Sequence, residues 1–158
     1  MRTIRVYADT SVFGGVFDEE FSEPSRRFFG RVVKGEFALL LSMQVVEELA
    51  PAPEQVRRAL LDLPADCVET VAIDPEATAL ADAYMEAGTL GGSSRMDALH
   101  VAVATVAGAD VIVSWNFAHI VNYDRIRMFN GVNVLRGYRP VDIRSPLEMG
   151  YEEEHEDV

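Results

Sequence analysis

The stretch that most constrains this chain runs from Ser93 to His119. Within it, Ala98-Leu99-His100-Val101-Ala102-Val103-Ala104-Thr105-Val106-Ala107 is apolar on nearly every side, and a helix apolar all round is a buried helix. Gly108 stops that run. Val111-Ile112-Val113-Ser114 follows as a short β-type segment ending at Trp115-Asn116. An unalternating Val/Ile run of this kind reads as a buried strand of a parallel sheet. Asp97 stands at the mouth of the helix, where a carboxylate is costly unless something binds it. What binds Asp97 is the question the sequence poses.

The rest of the chain alternates in the same way. Residues 3–8 read as a first strand closed by Asp9-Thr10-Ser11, and Ser11 to Gly15 as a loop or short turn. Glu23-Pro24-Ser25 opens a helix with proline in its first turn; it carries Phe28, Phe29, Val32 and Val33 and ends at Lys34-Gly35. Phe37 to Leu41 is a second buried strand, and Ser42 is the N-cap of a helix bearing Val45, Val46 and Leu49. Ala50-Pro51-Ala52-Pro53 breaks it, and Glu54 to Leu63 is another amphipathic helix, closed by Pro64. Val68 to Ile73 alternates like a strand, and Asp74-Pro75-Glu76 caps an alanine-rich helix reaching Ala87-Gly88. Gly91-Gly92 reads as a flexible joint. Ala118 to Phe129 reads as a helix stopped by Asn130-Gly131, Val132 to Leu135 as a short strand, and Val141-Asp142-Ile143 as the last one. Strands alternating with helices specify an α/β domain with a mainly parallel sheet. That domain is assigned to residues 1–147, and residues 148–158 to an acidic tail without fixed structure.

Charge narrows the function classes. The formal net charge of the 158 residues is −12, which argues against a protein that coats nucleic acid non-specifically. Glu152, Glu153, Glu154, Glu156 and Asp157 concentrate part of it in the tail, and the body stays acidic without them. Arg125, Arg127, Arg136, Arg139 and Arg144 fall in one late stretch, readable as solvated surface or as a local phosphate-contacting rim. The single cysteine, Cys67, cannot make an internal disulfide or a four-cysteine zinc site. No run approaches the roughly 18 apolar residues of a membrane span, and the N-terminus lacks an apolar signal-peptide core. A cytoplasmic location is the expectation.

In a parallel sheet, ligands sit beyond the carboxyl ends of the strands. Asp9 follows the first strand, Asn116 follows the strand at 111–114, and Asp97 opens the buried helix. Glu47 and Glu48 lie late in the helix after strand two, where one of them can turn toward the same pocket. Carboxylates gathered there repel one another unless a cation neutralises them, and an all-oxygen donor set suits Mg²⁺ or Mn²⁺. Structural roles compete at each position. Ser94-x-x-Asp97 reads first as a capping box, Asp9 can cap the next turn, and Glu47 and Glu48 can be a solvated helix face. Asn116 fits ordinary turn chemistry. His100 reads as a satisfied core histidine and His119 as a helix-start residue.

Taken together, Val-Tyr-Ala-Asp9-Thr10-Ser11-Val-Phe, Val-Val-Glu-Glu48-Leu, Met-Asp97-Ala-Leu-His100-Val-Ala and Val-Ile-Val-Ser114-Trp-Asn116-Phe resemble the PIN domain, including the VapC-type toxins of toxin–antitoxin pairs. The likeness spans roughly residues 3 to 145. It implies a three-layer α/β/α fold and a Mg²⁺- or Mn²⁺-dependent ribonuclease. Asp9, Glu48 and Asp97 would be its metal-holding acids, with Asn116 at the fourth catalytic position and Thr10 or Ser11 supporting the first aspartate. Glu48 is preferred to Glu47 because it precedes an aliphatic residue, Leu49. The resemblance further implies an RNA substrate, a small antitoxin partner, a homodimer and no membrane association. One departure stands out: many members carry aspartate where this chain has Asn116, which removes a negative charge and weakens a second metal position. Asp124 is a candidate to compensate. The competing reading is a PIN-like binding module with weak or no nuclease activity. A phosphatase or nucleotide-binding protein is disfavoured, since no Asp-x-Asp follows strand one and no Walker A loop exists.

Overall fold

The computed structural model describes residues 2–88 and 95–149. The Gly91-Gly92 joint, Ser94 of the capping box and residues 150–158 of the tail lie outside the described residues. The first strand, β1 (Ile4–Ala8), occupies the centre of a five-stranded sheet. Its Val6, Tyr7 and Ala8 are buried in sequence, as a central parallel strand covered on both faces requires. β2 (Phe37–Ser42) and β3 (Val68–Val71) extend the sheet on one side, β4 (Val111–Val113) and β5 (Asp142–Arg144) on the other. The order is β3-β2-β1-β4-β5, and every pairing is parallel. The chain therefore reverses its direction of travel between β1 and β4, the place where open parallel sheets form a crevice.

Helices make the crossovers. α1 (Thr10–Gly15) and α2 (Ser22–Val33) lead from β1 to β2, and α3 (Met43–Leu49) and α4 (Glu54–Leu61) lead on to β3. α1 packs on α2, α3 and α4. α5 (Pro75–Ala87), α6 (Arg95–Val106) and α7 (Tyr123–Leu135) belong to the other half, with α5 packed on both α6 and α7. A short α8 (Pro146–Met149) follows β5 and returns against α2. The fold is thus α/β, a parallel sheet between helical layers. α6 is buried from Ala98 to Thr105 except at the half-buried Leu99, as its all-round apolarity demands. Gly108, at φ +76°, ends it in the left-handed region that glycine tolerates best. No helix among the described residues is long and apolar enough to cross a membrane.

Three local expectations are overturned. Residues 11–15 are not a loop: Asp9 accepts the Ser11 N–H (3.2 Å) and caps α1. The later helix is also displaced, running Tyr123–Leu135 instead of 118–129, with Asn122 as its N-cap accepting from Arg125 N–H (3.0 Å). Asn130 and Gly131 are interior to it, because Asn130 spends its side chain on Val141. Its Oδ1 accepts the Val141 N–H (2.8 Å) and its Nδ2 donates to the Val141 carbonyl (3.0 Å). Residues 132–135, expected as a strand, are the helix's last turn.

Candidate active site

The parallel register decides what meets what. Ala8 pairs with Val113, so Asp9 and Ser114, the next residues of β1 and β4, leave the sheet side by side. Asp9 N–H donates to the Val113 carbonyl (3.1 Å), and Ser114 Oγ donates to Asp9 Oδ2 (2.7 Å). Ser11 supplies its hydroxyl to Asp9 Oδ1 (2.5 Å), beside the capping N–H bond. Ser11 Oγ in turn accepts the Trp115 N–H (2.9 Å). Asp9 is 4 % exposed. Burial pushes its pKa above the ordinary carboxylate value, against the opposing pull of His100 and of the hydrogen bonds from Ser11 and Ser114.

Ser42, at the end of β2, caps α3 by accepting the Val45 N–H (3.3 Å). That start angle places Glu48 toward Asp9 and leaves Glu47 exposed. Glu48 is densely partnered: Thr10 Oγ1 donates to Oε2, Gln44 Nε2 to Oε1 (2.9 Å), and His100 Nε2 lies 3.1 and 3.2 Å from the two oxygens. Burial opposes ionisation of Glu48, but the hydrogen bonds from His100, Thr10 and Gln44 outweigh it and bring its pKa to about 2. Gln44 also donates to the Met96 carbonyl (2.9 Å), which ties α3 to the first turn of α6.

Asp97 sits in that first turn, half-buried. Its Oδ1 accepts from Asn116 Nδ2 (3.2 Å), while Asn116 Oδ1 accepts the His119 N–H (3.0 Å). The backbone donor fixes the amide's orientation, since an NH₂ group cannot accept it. Asn116 therefore presents donors to Asp97. Burial raises the Asp97 pKa and Glu48's charge adds to the effect, against the pull of His119 and His100.

These residues surround one cavity of about 390 Å³, lined by Asp9, Thr10, Ser11, Glu48, Met96, Asp97, His100 and Asn116. All six residues singled out from the sequence as site members border it. Asp124 is exposed and does not. None of the five late arginines lines it either: Arg144 pairs with Asp142 and Glu148, and Arg136 borders a separate cleft with Glu76 and Tyr138. In the sequence Gln44, Ser114 and Tyr7 carry no assigned role, and His100 reads as a core residue. Gln44 was detectable as the residue one helical turn before Glu48; His100 was not, because its contact depends on two elements 52 residues apart.

The donor chemistry suits a hard divalent cation. Three carboxylates from separate elements face one polar cavity, and two of them have raised pKa values that a nearby positive charge would lower. As arranged, no three His, Cys, Asp or Glu side chains among the described residues form a ready cluster for a metal, and serine, threonine, glutamine, histidine and asparagine groups hold the carboxylate oxygens.

At the sequence level, no family model and no curated protein matches the chain. Solved structures do resemble it. One is a chain of VapBC2 from Rickettsia felis bound to a promoter DNA fragment, with 12% identity over 90% of this chain and 98% of that one and a TM-score of 0.54. FitAcB from Neisseria gonorrhoeae gives 13% identity over 90% and 98%, with a TM-score of 0.57. DNA-bound VapBC from Salmonella typhimurium gives 16% over 91% and 99%, with a TM-score of 0.52. The chain shares their fold. At such identities the likeness is one of architecture.

Proposed function

We propose that the chain is a metal-dependent endoribonuclease of the PIN, VapC-like kind, hydrolysing RNA phosphodiester bonds at this cavity. The observation that carries the reading is the convergence of Asp9, Glu48 and Asp97, from the ends of β1, α3 and the start of α6, on one open cavity at the carboxyl edge of the sheet. The fold shared with VapBC and FitAcB supports it. In this reading Asp9, Glu48 and Asp97 hold Mg²⁺ or Mn²⁺. Such an ion, when bound, supplies Lewis acidity toward a phosphate oxygen and acidifies a coordinated water. The protein's part is placement. Ser11 and Ser114 fix both oxygens of Asp9, Thr10 and Gln44 fix Glu48, and Asn116 fixes Asp97. The acidic surface leaves little general affinity for RNA, so the cavity has to provide selectivity.

The VapBC and FitAcB assemblies support extending the reading to partners. A small antitoxin protein that occludes the cavity is the proposed regulator, and a homodimer the proposed assembly. A second reading, a PIN-like fold that binds without cutting, is favoured by Asn116, whose carbonyl oxygen is already taken by His119 N–H. One assay separates them. Cleavage of mixed RNA is measured with Mn²⁺, with chelator, and with Asp9→Asn and Asp97→Asn. Metal-dependent cutting lost in both variants is expected. Cutting that survives both substitutions rejects this site, and no cutting with no Mn²⁺ binding by calorimetry favours the binding module.

A further inference from the structure

His100 is used by neither reading, yet it is 3 % exposed and reaches the cavity from inside α6. Its Nε2 meets Glu48 at 3.1 and 3.2 Å, and its Nδ1 lies 2.7 Å from the hydroxyl of Tyr7, on the central strand. Tyr7 Oη lies 2.8 Å from Ser42 Oγ, and both residues are fully buried. One set of directions lets every group in this chain donate or accept without conflict. An ionised Glu48 only accepts, so the hydrogen it shares with His100 is on Nε2. Ser42 Oγ already accepts the Val45 N–H and keeps its own hydrogen free to donate to Tyr7 Oη. In that arrangement the Tyr7 hydrogen goes to Nδ1. The chain Ser42→Tyr7→His100→Glu48 then closes with the first three groups each donating once and Glu48 only accepting.

We propose that Tyr7 and His100 are positioning residues of the acidic cavity, a buried relay that anchors Glu48 to the end of β2 and fixes its carboxylate before cation or substrate arrives. The proposal rests on the reading of the cavity as the reactive site. Thr10 and Gln44 hold Glu48 from elements bordering the cavity, whereas the His100 route runs into the sheet itself. Partners of this kind orient metal-binding side chains, and their removal typically weakens metal affinity or activity ten- to hundredfold.

The test compares the full chain with Tyr7→Phe, His100→Gln and His100→Leu, each checked for a native circular dichroism spectrum. In metal-free protein, ¹⁵N NMR of labelled histidine should show His100 as a single neutral tautomer with its hydrogen on Nε2, and a mixture in Tyr7→Phe. An Nδ1–H form, or a mixture already in the unsubstituted chain, overturns the relay whatever the activity. In a second measurement, Mn²⁺ binding followed by electron paramagnetic resonance should weaken about ten- to hundredfold in His100→Leu and recover in His100→Gln, whose amide can donate from the Nε2 position. A folded His100→Leu protein that binds Mn²⁺ like the parent also overturns the proposal. If the unsubstituted chain binds no Mn²⁺, the nuclease reading falls instead, and the tautomer result alone decides the relay.

Discussion

Gly15 closes α1 against the side chain that backs the site, and replacing it tests how tightly the two are coupled. A Cβ there would lie 2.7 Å from Ser25 Oγ and from Trp115 Nε1, and 2.9 Å from Trp115 Cδ1. Trp115 has little room to yield. It stacks on Phe21 at 4.1 Å between ring centroids, donates from Nε1 to Ser25 Oγ (2.8 Å), and donates its backbone N–H to Ser11 Oγ. Gly15→Ala therefore overpacks the contact, at a cost of about 1–3 kcal/mol. Separating the buried Nε1–Ser25 pair adds about 1 kcal/mol. The better helix propensity of alanine returns up to about 1 kcal/mol, which leaves a net loss of about 1–4 kcal/mol. The disturbance has a short path to the cavity, since Ser11 Oγ serves both Trp115 N–H and Asp9. Trp115 is the only tryptophan, so urea unfolding followed by its emission reads stability and local surroundings together. A lower midpoint at unchanged slope and a shifted folded-state emission are expected. Stability and emission both equal to the parent's would refute the packing argument.

Glu48→Gln should destabilise the protein in a pH-dependent way. Its folded-state pKa is depressed, from an ordinary 4.5 to about 2, so the stabilisation is present above the unfolded value and lost as pH falls toward 2. Full conversion gives about 3 kcal/mol, and solvent screening of this partly exposed group leaves roughly half, about 1–2 kcal/mol at pH 7. Urea midpoints of parent and variant should converge between pH 4.5 and pH 2.5; a constant gap would contradict the assignment. Asn116→Asp keeps the acceptor for His119 N–H but sets a second carboxylate against Asp97. Without divalent ions the melting midpoint should fall by about 2–4 °C for a cost near 1 kcal/mol, and Mn²⁺ should raise it more than in the parent. Equal responses to Mn²⁺ would show that Asn116 and Asp97 share no cation position.

How much of this was legible in the sequence depended on the range of the deciding contact. The buried α6 and the strands were readable because their apolarity is itself the signal: Ala98–Thr105 has no polar face to offer solvent, and Val111–Val113 has none either. The caps at Ser42 and Asp74 were readable because each acts three residues ahead, on Val45 and Ala77 N–H. The later helix was misplaced because Asn130-Gly131 is local stop chemistry overridden from a distance. Asn130 bonds Val141, and Asn133, fully buried, accepts from Tyr84 Oη. The true stop is Gly137, at φ +84°. Likewise, nothing local distinguishes His100 from an ordinary core histidine. Its meaning comes from Tyr7 and Glu48, 93 and 52 residues away.

The capping and ligand readings of the same residues compete only while the chain is seen as a line. A parallel sheet feeds every crossover from the carboxyl ends of its strands, so the polar residues that start those crossovers gather at one edge. Asp9 starts α1, Ser42 starts α3, and Asn116 accepts the His119 N–H in the turn after β4. A cap needs only an acceptor oxygen, and at a half-buried start such as Asp74 the carboxylate accepts the Ala77 N–H as a cap should. Asp9 differs in being buried with a carboxylate where a neutral serine would cap as well. It also has two hydroxyl donors beyond the capping N–H, and two more acids, Glu48 and Asp97, border the same cavity. Stability alone gives no reason to keep an ionisable group there, since burial raises its pKa despite those donors. The excess charge at this edge is what the fold does not need, and it is on this excess that the case for chemistry rests.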